Sequence, residues 1–393
     1  MKEIIVFSPG DSSKLNTWSN VPFFLTSSLE EKGIKVDRVN LNDHYINSLF
    51  DRFLYICTRL LRIVFKLFYR SDISYKYEYI RYHDNQITKA IDSYKNKYPN
   101  ADGQLIIHLS YCPNSTIPTI MFGDWTVDYK IRSQRNRDPY IIEKDMIKRQ
   151  YEALSRADAV VSLYPNSCEM IKESIHKDNV YYLGHVINSL YPYKEDIDRK
   201  YNSNRVLFIG RKKTYLNGLI RLIEVINYYN QFNNPLYIDV IGMNKEDIDK
   251  DIDLKYCQFH GFIDKDNEIQ KEKYYELIRN SKIMVNINPN WNGPSSLCEG
   301  LFHGTPILIS NNIEVKSMFN DDICFFVEKK DTKEEIADKL KVIMDLDYNA
   351  YSNMSRKCHE FAREYTWDKY VDRLLELFDK IEREKYEKNW YRY

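Results

Sequence analysis

Residues 281–310, SKIMVNINPNWNGPSSLCEGLFHGTPILIS, carry the densest chemistry in the chain. An apolar strand ends at Pro289 and a loop follows. Ser295-Ser296-Leu297 then open a helical turn bearing Glu299, and Gly304-Thr305-Pro306 restart a strand. A helix that opens after a strand presents unpaired backbone N–H groups and the positive end of its dipole, which together cradle an anion. Glu299, one turn in, can accept two hydrogen bonds from a diol such as a ribose; the plainer alternative is a Ser cap followed by a surface Glu. Arg211, Lys212 and Lys213 directly follow the run RVLFIG and suit a diphosphate, with a solvated turn as the alternative. His108, after the strand QLII, and Asp124, in a Gly-Asp-Trp turn, are further cleft candidates, although a strand-end histidine can equally be a packed one. Glu152 sits on a helix where capping or pairing would explain it.

Placing these groups requires strands and helices in alternation, and the sequence supplies them. KEIIVFSP reads as a buried parallel strand, Pro22 to Lys32 as a helix ended by Gly33, and IKVDRVNL as the next strand. A Tyr-rich helical stretch near 75–97, the strands QLIIHLS and TIMFGDW, a helix over 139–156, the strand 158–163, a helix over 165–175 and the strand NVYYLGHVI complete a first α/β unit over 1–190. The polar residues 191–204 have the composition of a linker. The same grammar restarts over 205–365 with RVLFIG, a helix from about Gly218, LYIDVIG, CQFHGFI, a helix near 271–281, KIMVNINP, TPILIS and CFFV. Residues 366–393 close the chain with one strongly helical segment. The expected fold is α/β: two Rossmann-like doubly wound domains facing a cleft, with ligand at the carboxyl ends of the strands.

The length of 393 residues favours two domains, and 57 Lys and Arg against 57 Asp and Glu give zero net charge, which argues against a nucleic-acid binder. Seven dispersed cysteines without a C-x-x-C pair suggest buried thiols in a reducing compartment rather than a disulfide framework or zinc cage. The N-terminus lacks a secretory apolar core, so the expected location is cytoplasmic.

One segment stands apart. Residues 51–70, DRFLYICTRLLRIVFKLFYR, are apolar enough to suggest a membrane, but Arg52, Arg59, Arg62, Lys66 and Arg70 make spanning too costly. At about 100° per residue those five cations fall in about a quarter of the wheel, while Phe53, Leu54, Leu60, Leu61, Val64, Leu67 and Phe68 fill much of the rest. Two destinations fit: an anionic membrane interface, or a domain core that takes the apolar face and leaves the basic edge solvated.

Four stretches together resemble the retaining, nucleotide-sugar-dependent glycosyltransferases of family 4, which have the GT-B fold. Thr17 to Leu25 (TWSNVPFFL) resembles a tryptophan-serine-glycine-x-proline-aromatic start, and Met121 to Thr126 (MFGDWT) resembles a tyrosine-x-aspartate-alanine-threonine loop. Tyr151 to Leu163 resembles the family's alanine-aspartate helix–strand passage, and Ser295 to Ser310 its donor motif, the most specific of the four. The resemblance implies that Arg211 binds the donor diphosphate, Glu299 the donor ribose, and Ser295, Ser296 and Leu297 the phosphates through their backbone. It places Asp124 close to donor sugar and acceptor, Trp18, Ser19 and His108 on the acceptor side, and the terminal helix back on the first domain. Residues 1–190 become the acceptor-side domain and 205–365 the nucleotide-sugar-binding domain.

Two departures remove charge: the family's first motif glutamate falls on Trp291 and its lysine on Leu216. Lys212 or Lys213 could supply the cation, and Asn290 or Asn292 could bond the sugar hydroxyls. The resemblance implies sugar transfer with retention; Arg211, a neighbouring lysine and a helix N-terminus would stabilise the leaving diphosphate without cofactor or metal, and the basic amphipathic helix suits a glycan or lipid-linked acceptor in surface polysaccharide or glycoconjugate synthesis, with peripheral association at the inner face of a membrane. No Asp-x-Asp falls in a candidate cleft loop. The departures keep a catalytically silent scaffold that binds nucleotide sugar or a partner transferase as the alternative, and an epimerase or phosphorylase of the same fold as a third class.

Overall fold

The computed structural model describes residues 1–44, 48–70, 73–74, 76, 78, 80–289 and 293–390. The chain divides into two compact units, residues 1–185 together with the helix from Trp367, and residues 186–366.

The first unit contains β1 (Glu3–Ser8), α1 (Val21–Glu31), β2 (Lys35–Asn40), α2 (Leu49–Tyr69), α3 (Arg81–Lys97), β3 (Gly103–Ile106) and β4 (Thr119–Gly123). It continues with a short α4 (Val127–Tyr129), α5 (Ile141–Arg156), β5 (Ala159–Ser162), α6 (Pro165–Ile175) and β6 (Val180–Tyr181). The six strands pair in parallel in the order β2-β1-β3-β4-β5-β6. Continuous apolar runs form the central strands because both faces of a parallel sheet are covered by helices. Ile5, Phe7 and Ile106 pack on Ile87 and Ile91 of α3, while Met121 and Val160 pack on Leu154 and Ile171 in a separate cluster.

In the second unit the order along the chain is α7 (Ile197–Tyr201), β7 (Arg205–Ile209), α8 (Lys212–Tyr229), β8 (Tyr237–Ile241), β9 (Cys257–Gly261), α9 (Glu268–Arg279), β10 (Ile283–Asn286) and α10 (Ser295–Phe302). After these come β11 (Ile307–Ser310), α11 (Ile313–Met318), β12 (Cys324–Val327), α12 (Lys333–Met344) and α13 (Tyr348–Ala362). The sheet, again parallel, runs β12-β11-β10-β7-β8-β9.

The terminal helix α14 (Trp367–Trp390) belongs to the first unit. Lys32, just past α1, reaches Asp368 and Asp372 with its Nζ at 2.7 Å from each, and Phe24 stacks on Trp367 with rings 4° from parallel. The buried Phe378 fills the space a side chain at position 103 would need: a Cβ there would lie 2.9 Å from the ring, so only glycine fits.

Several elements differ from the sequence reading. The segment expected to be helical over 51–70 starts two residues earlier, because Ser48 and Asp51 form a capping box, and ends at Tyr69 with Arg70 in the left-handed conformation. Its apolar face is exposed and does not enter a core: Leu67 is 74 % and Phe68 78 % exposed, while Asp51 and Thr58 are its buried residues. The helix expected from about Gly218 begins at Lys212, so two of the three adjacent cations sit in its first turn rather than on a loop. The last predicted strand of the first unit shortens to the two residues of β6. Residues 328–365, where the sequence reading names no element, hold α12 and α13, the former opened by a Thr332–Glu335 capping box. Among the described residues no helix is long and apolar enough to cross a membrane.

Candidate functional site

Each sheet reverses its strand order once, between β7 and β10 in the second unit and between β1 and β3 in the first. Loops at the carboxyl ends of strands diverge at such a switch point and leave room for a ligand.

At the β7/β10 switch point two helices begin side by side. Arg211 is the N-cap of α8, extended at φ −91° and ψ 142°, with no side-chain cap. Arg211, Lys212 and Lys213 are exposed, Lys212 pairs with Asp247 at 3.1 Å, and the Arg211 guanidinium lies 5.9 Å from the Phe262 ring centre. Cations in a first helical turn oppose the helix dipole, an arrangement that an anion bound there would reverse. α10 opens after Pro294, again without a side-chain cap, and its first intrahelical bond runs from Cys298 N–H to Pro294 C=O at 2.8 Å. The N–H groups of Ser295, Ser296 and Leu297 thus precede the intrahelical ladder. Neither serine is the N-cap, which removes the Ser-cap explanation of this turn. The two helix starts are tied together: Asn288 Nδ2 donates to Thr214 C=O at 2.8 Å and Gly293 N–H to the Tyr215 hydroxyl at 3.1 Å. A Cβ at Gly218 would lie 2.9 Å from the backbone N of Asn288, so α8 rests directly on the chain leaving β10.

Glu299 is 3 % exposed and is not a surface residue. Tyr275 donates to its Oε1 at 2.7 Å, Tyr274 to its Oε2 at 2.8 Å, and Lys265 Nζ reaches both oxygens at 2.9 and 3.0 Å. Lys265 also stands 4.0 Å from the Tyr274 ring centre. Four bonds match the roughly four lone-pair positions of a carboxylate, so a diol can reach Glu299 only by displacing one of these donors. Burial beside the carboxylate pushes the Tyr274 and Tyr275 hydroxyls far up, which keeps both as donors.

At the β1/β3 switch point lies a cavity of about 480 Å³. Pro9 and Trp18 reach it from after β1, His108 and Ser110 from after β3, and Asp124 to Val127 from after β4. Lys130 and Gln150 complete much of the wall. Trp18, Ser19 and Asn20 all have positive φ, at 35°, 55° and 72°, a run of strained backbone that turns Trp18 edge-on to Phe122 with ring centres 6.0 Å apart. Ser19 shares that turn but is not among the cavity's lining residues. His108 stacks on Tyr111, and its Nδ1 accepts from Ser110 N–H at 3.1 Å, which places the ring proton on Nε2. Burial, with a smaller contribution from His83, depresses its pKa to about 4, so the ring is neutral at neutral pH. Burial also pushes the Asp124 carboxyl up to about 7, opposed by Lys130. A carboxyl poised there can hold or release a proton at neutral pH.

The structure thus gathers Trp18, His108 and Asp124 at one switch point and Arg211, Lys212, Lys213, Ser295, Ser296 and Leu297 at the other. Leu216 packs against the second unit's apolar core, and Glu152 lies on α5 with Lys148 at 4.0 Å, outside the cavity. Asn290, Trp291 and Asn292 lie outside the described residues. Among the described residues no group of three or more His, Cys, Asp and Glu side chains could hold a metal ion. Sequence reasoning missed Lys265, Tyr274 and Tyr275 around Glu299, and Gln150, which accepts from Val127 N–H at 2.8 Å and donates to Ser110 Oγ at 3.0 Å. The adjacent tyrosines on a helix that packs beside the motif were the available signal.

A family model described as a protein of unknown function (DUF3627) matches residues 41–120, and no curated protein matches the sequence. Solved structures do. Sucrose-phosphate synthase from Thermosynechococcus elongatus superposes with a TM-score of 0.66 over 97 % of this chain and 99 % of its own, at 13 % identity. A glycosyltransferase from Rickettsia africae ESF-5 gives 0.60 over 97 % and 98 % at 14 % identity. TarM of S. aureus, solved as a mutant with fondaparinux, α-GlcNAc-glycerol and UDP, gives 0.54 over 74 % of this chain and 59 % of its own at 15 % identity. Two parallel six-stranded sheets flanked by helices, shared with these proteins, give the chain the fold of GT-B glycosyltransferases.

Proposed function

We propose that the chain is a glycosyltransferase that moves a sugar from a nucleotide-diphosphate sugar to a glycan or lipid-linked acceptor. One observation carries the reading: two uncapped helix starts, one bearing Arg211, Lys212 and Lys213, are tied together at the β7/β10 switch point. As the glycosidic bond breaks, negative charge grows on the departing diphosphate. Fixed dipoles and cations aimed at that charge stabilise the transition state without reorganising. In this scheme Arg211 and a neighbouring lysine hold the diphosphate, and the N–H groups of Ser295, Ser296 and Leu297 bond its oxygens. The ribose diol takes Glu299 oxygens from Lys265, the donor whose flexible stem moves most readily. Asp124 and the Nε2–H of neutral His108 bond hydroxyls of the acceptor in the first unit's cavity, with Trp18 as its apolar wall. Transfer with retention passes the acceptor proton to the leaving phosphate, and no metal is required. The fold neighbours named above, one of them solved with UDP, support this reading.

A second reading, binding without transfer, is favoured by Leu216, which packs in the core where the family's lysine would stand, and by the closed hydrogen-bonding of Glu299. Thermal shift of the full chain with UDP, GDP, ADP and their sugars, followed by a transfer assay with the stabilising donor, separates the readings. A ligand that binds the folded state raises its apparent stability. Stabilisation by one nucleoside diphosphate with sugar transfer is the expected outcome. Stabilisation without transfer or hydrolysis establishes the second reading, and no stabilisation by any of them overturns both.

A further inference from the structure

We propose that α2 docks the first unit onto an anionic lipid surface, lying flat in the interface with its apolar face among the acyl chains. The inference goes beyond the transfer reading and stands on its own observations. α2 is amphipathic in the reverse sense to an ordinary surface helix. The side it turns to the protein carries the buried Asp51 and Thr58, and Tyr69 stacks on Tyr140 with ring centres 4.1 Å apart. Phe50 meets Tyr82 edge-on at 5.4 Å, so contacts fasten the helix at both ends. The side it turns outward carries Phe53, Ile56, Leu60, Val64, Leu67 and Phe68, each 56 % or more exposed. At about 100° per residue that face is centred about 160° from the buried side, and the 21 residues of α2 run for about 31 Å. Apolar patches of this extent on a soluble surface mark an interaction site.

Charge selects the occupant. Arg52, Arg59, Arg62, Lys66 and Arg70 border the apolar face along one edge. The helix's single acidic residue, Asp51, is 3 % exposed and engaged by Ser48, whose backbone N–H donates to it at 2.8 Å. The exposed surface of α2 therefore carries cations alone. Pairing with α2 of a second copy would bring no exposed acid to meet them, whereas anionic headgroups would meet the exposed Arg52, Arg59, Lys66 and Arg70 while the acyl boundary takes the apolar face. The cations are also what keeps α2 from spanning, so the geometry is that of a helix in the plane of the interface.

Flotation of the full chain with vesicles of phosphatidylcholine alone, and with equimolar phosphatidylglycerol, tests the inference. The wild type is expected to float with the anionic vesicles at least about tenfold better than with the neutral ones, and less as salt rises. Leu60→Glu with Leu67→Glu should abolish flotation. Arg59→Glu with Lys66→Glu should erase the preference for anionic vesicles, each lost cation weakening binding by about fivefold. All these positions are exposed, and melting followed by circular dichroism checks that the variants fold; Leu67→Asn alone repeats the test should a double variant unfold. No flotation of the wild type, equal flotation with both vesicles, or a concentration-dependent dimer through α2 without lipid binding overturns the proposal. The thermal shift by nucleoside diphosphates should be unchanged in every α2 variant, so failure here is distinguishable from failure of the transfer reading.

Discussion

The two switch points share a topology and differ in how they treat charge. At β7/β10 the cations are exposed at helix starts, and the buried carboxylate of Glu299 is held by three donors. At β1/β3 two side chains are drawn toward their neutral forms by burial, His108 downward to about 4 and Asp124 upward to about 7. The first arrangement suits a ligand that brings its own fixed negative charge. The second suits one that brings hydroxyls and whose protons must be placed. The two sheets share a topology, and the loops around each switch point set the charge it offers.

If that contrast is functional, the largest loss should come from the charged site. Arg211→Ala with Lys212→Ala should weaken the stabilising nucleoside diphosphate by about 100-fold, since a hydrogen bond to a charged group contributes about 1.5–3 kcal/mol, with titration calorimetry as the measurement. Binding in the wild type should fall steeply with salt, while occupancy of the cavity around Asp124 should not.

Asp124→Asn should lower kcat by about 100-fold, within the range of a positioned acid–base group, and remove a limb near pH 7 from the rate profile. Stability provides an independent check of sign. Because the folded carboxyl binds its proton more tightly than the unfolded one, its contribution is complete below about pH 4 and is lost as pH rises to about 7. Asp124→Asn should thus melt higher than wild type above pH 7, and this gain should shrink toward zero as the pH falls below 4.

Glu299→Gln should cost about tenfold in diphosphate affinity and also lower the melting temperature, because the amide's own donors face Lys265 and one tyrosine hydroxyl. An unchanged affinity with a lowered melting point would make Glu299 a purely structural anchor. The smallest effect is expected at Ser19, where φ is 55°: Ser19→Gly should stabilise the chain by about 1 kcal/mol in chemical denaturation.

The alternation of strands and helices was legible because parallel strands leave continuous apolar runs, as KEIIVFSP and SKIMVNINP show. The helix start at Ser295 was legible for the same reason, since the strand before it stops at a proline. Other features depend on packing that no local pattern encodes. A helical wheel separates the faces of 51–70 but does not say which one turns inward, and here it is the more polar one. Glu299 reads as a surface or ribose carboxylate until Tyr274, Tyr275 and Lys265 converge on it from α9 and the loop before it. Lys212 and Lys213 read as loop because helix starts rarely carry adjacent cations, and the left-handed run at Trp18 to Asn20 has no glycine to announce it.

The attachment of α14 also has a consequence for the order in which the protein is made. Gly103 keeps a notch for Phe378, and Lys32 waits for Asp368 and Asp372. A ribosome completes every residue of the second unit before those partners exist, so the first unit, though begun earliest, is finished last. Until then the surface that α14 will cover is open, and a nascent chain halted before Trp367 should be the species most readily captured by chaperones.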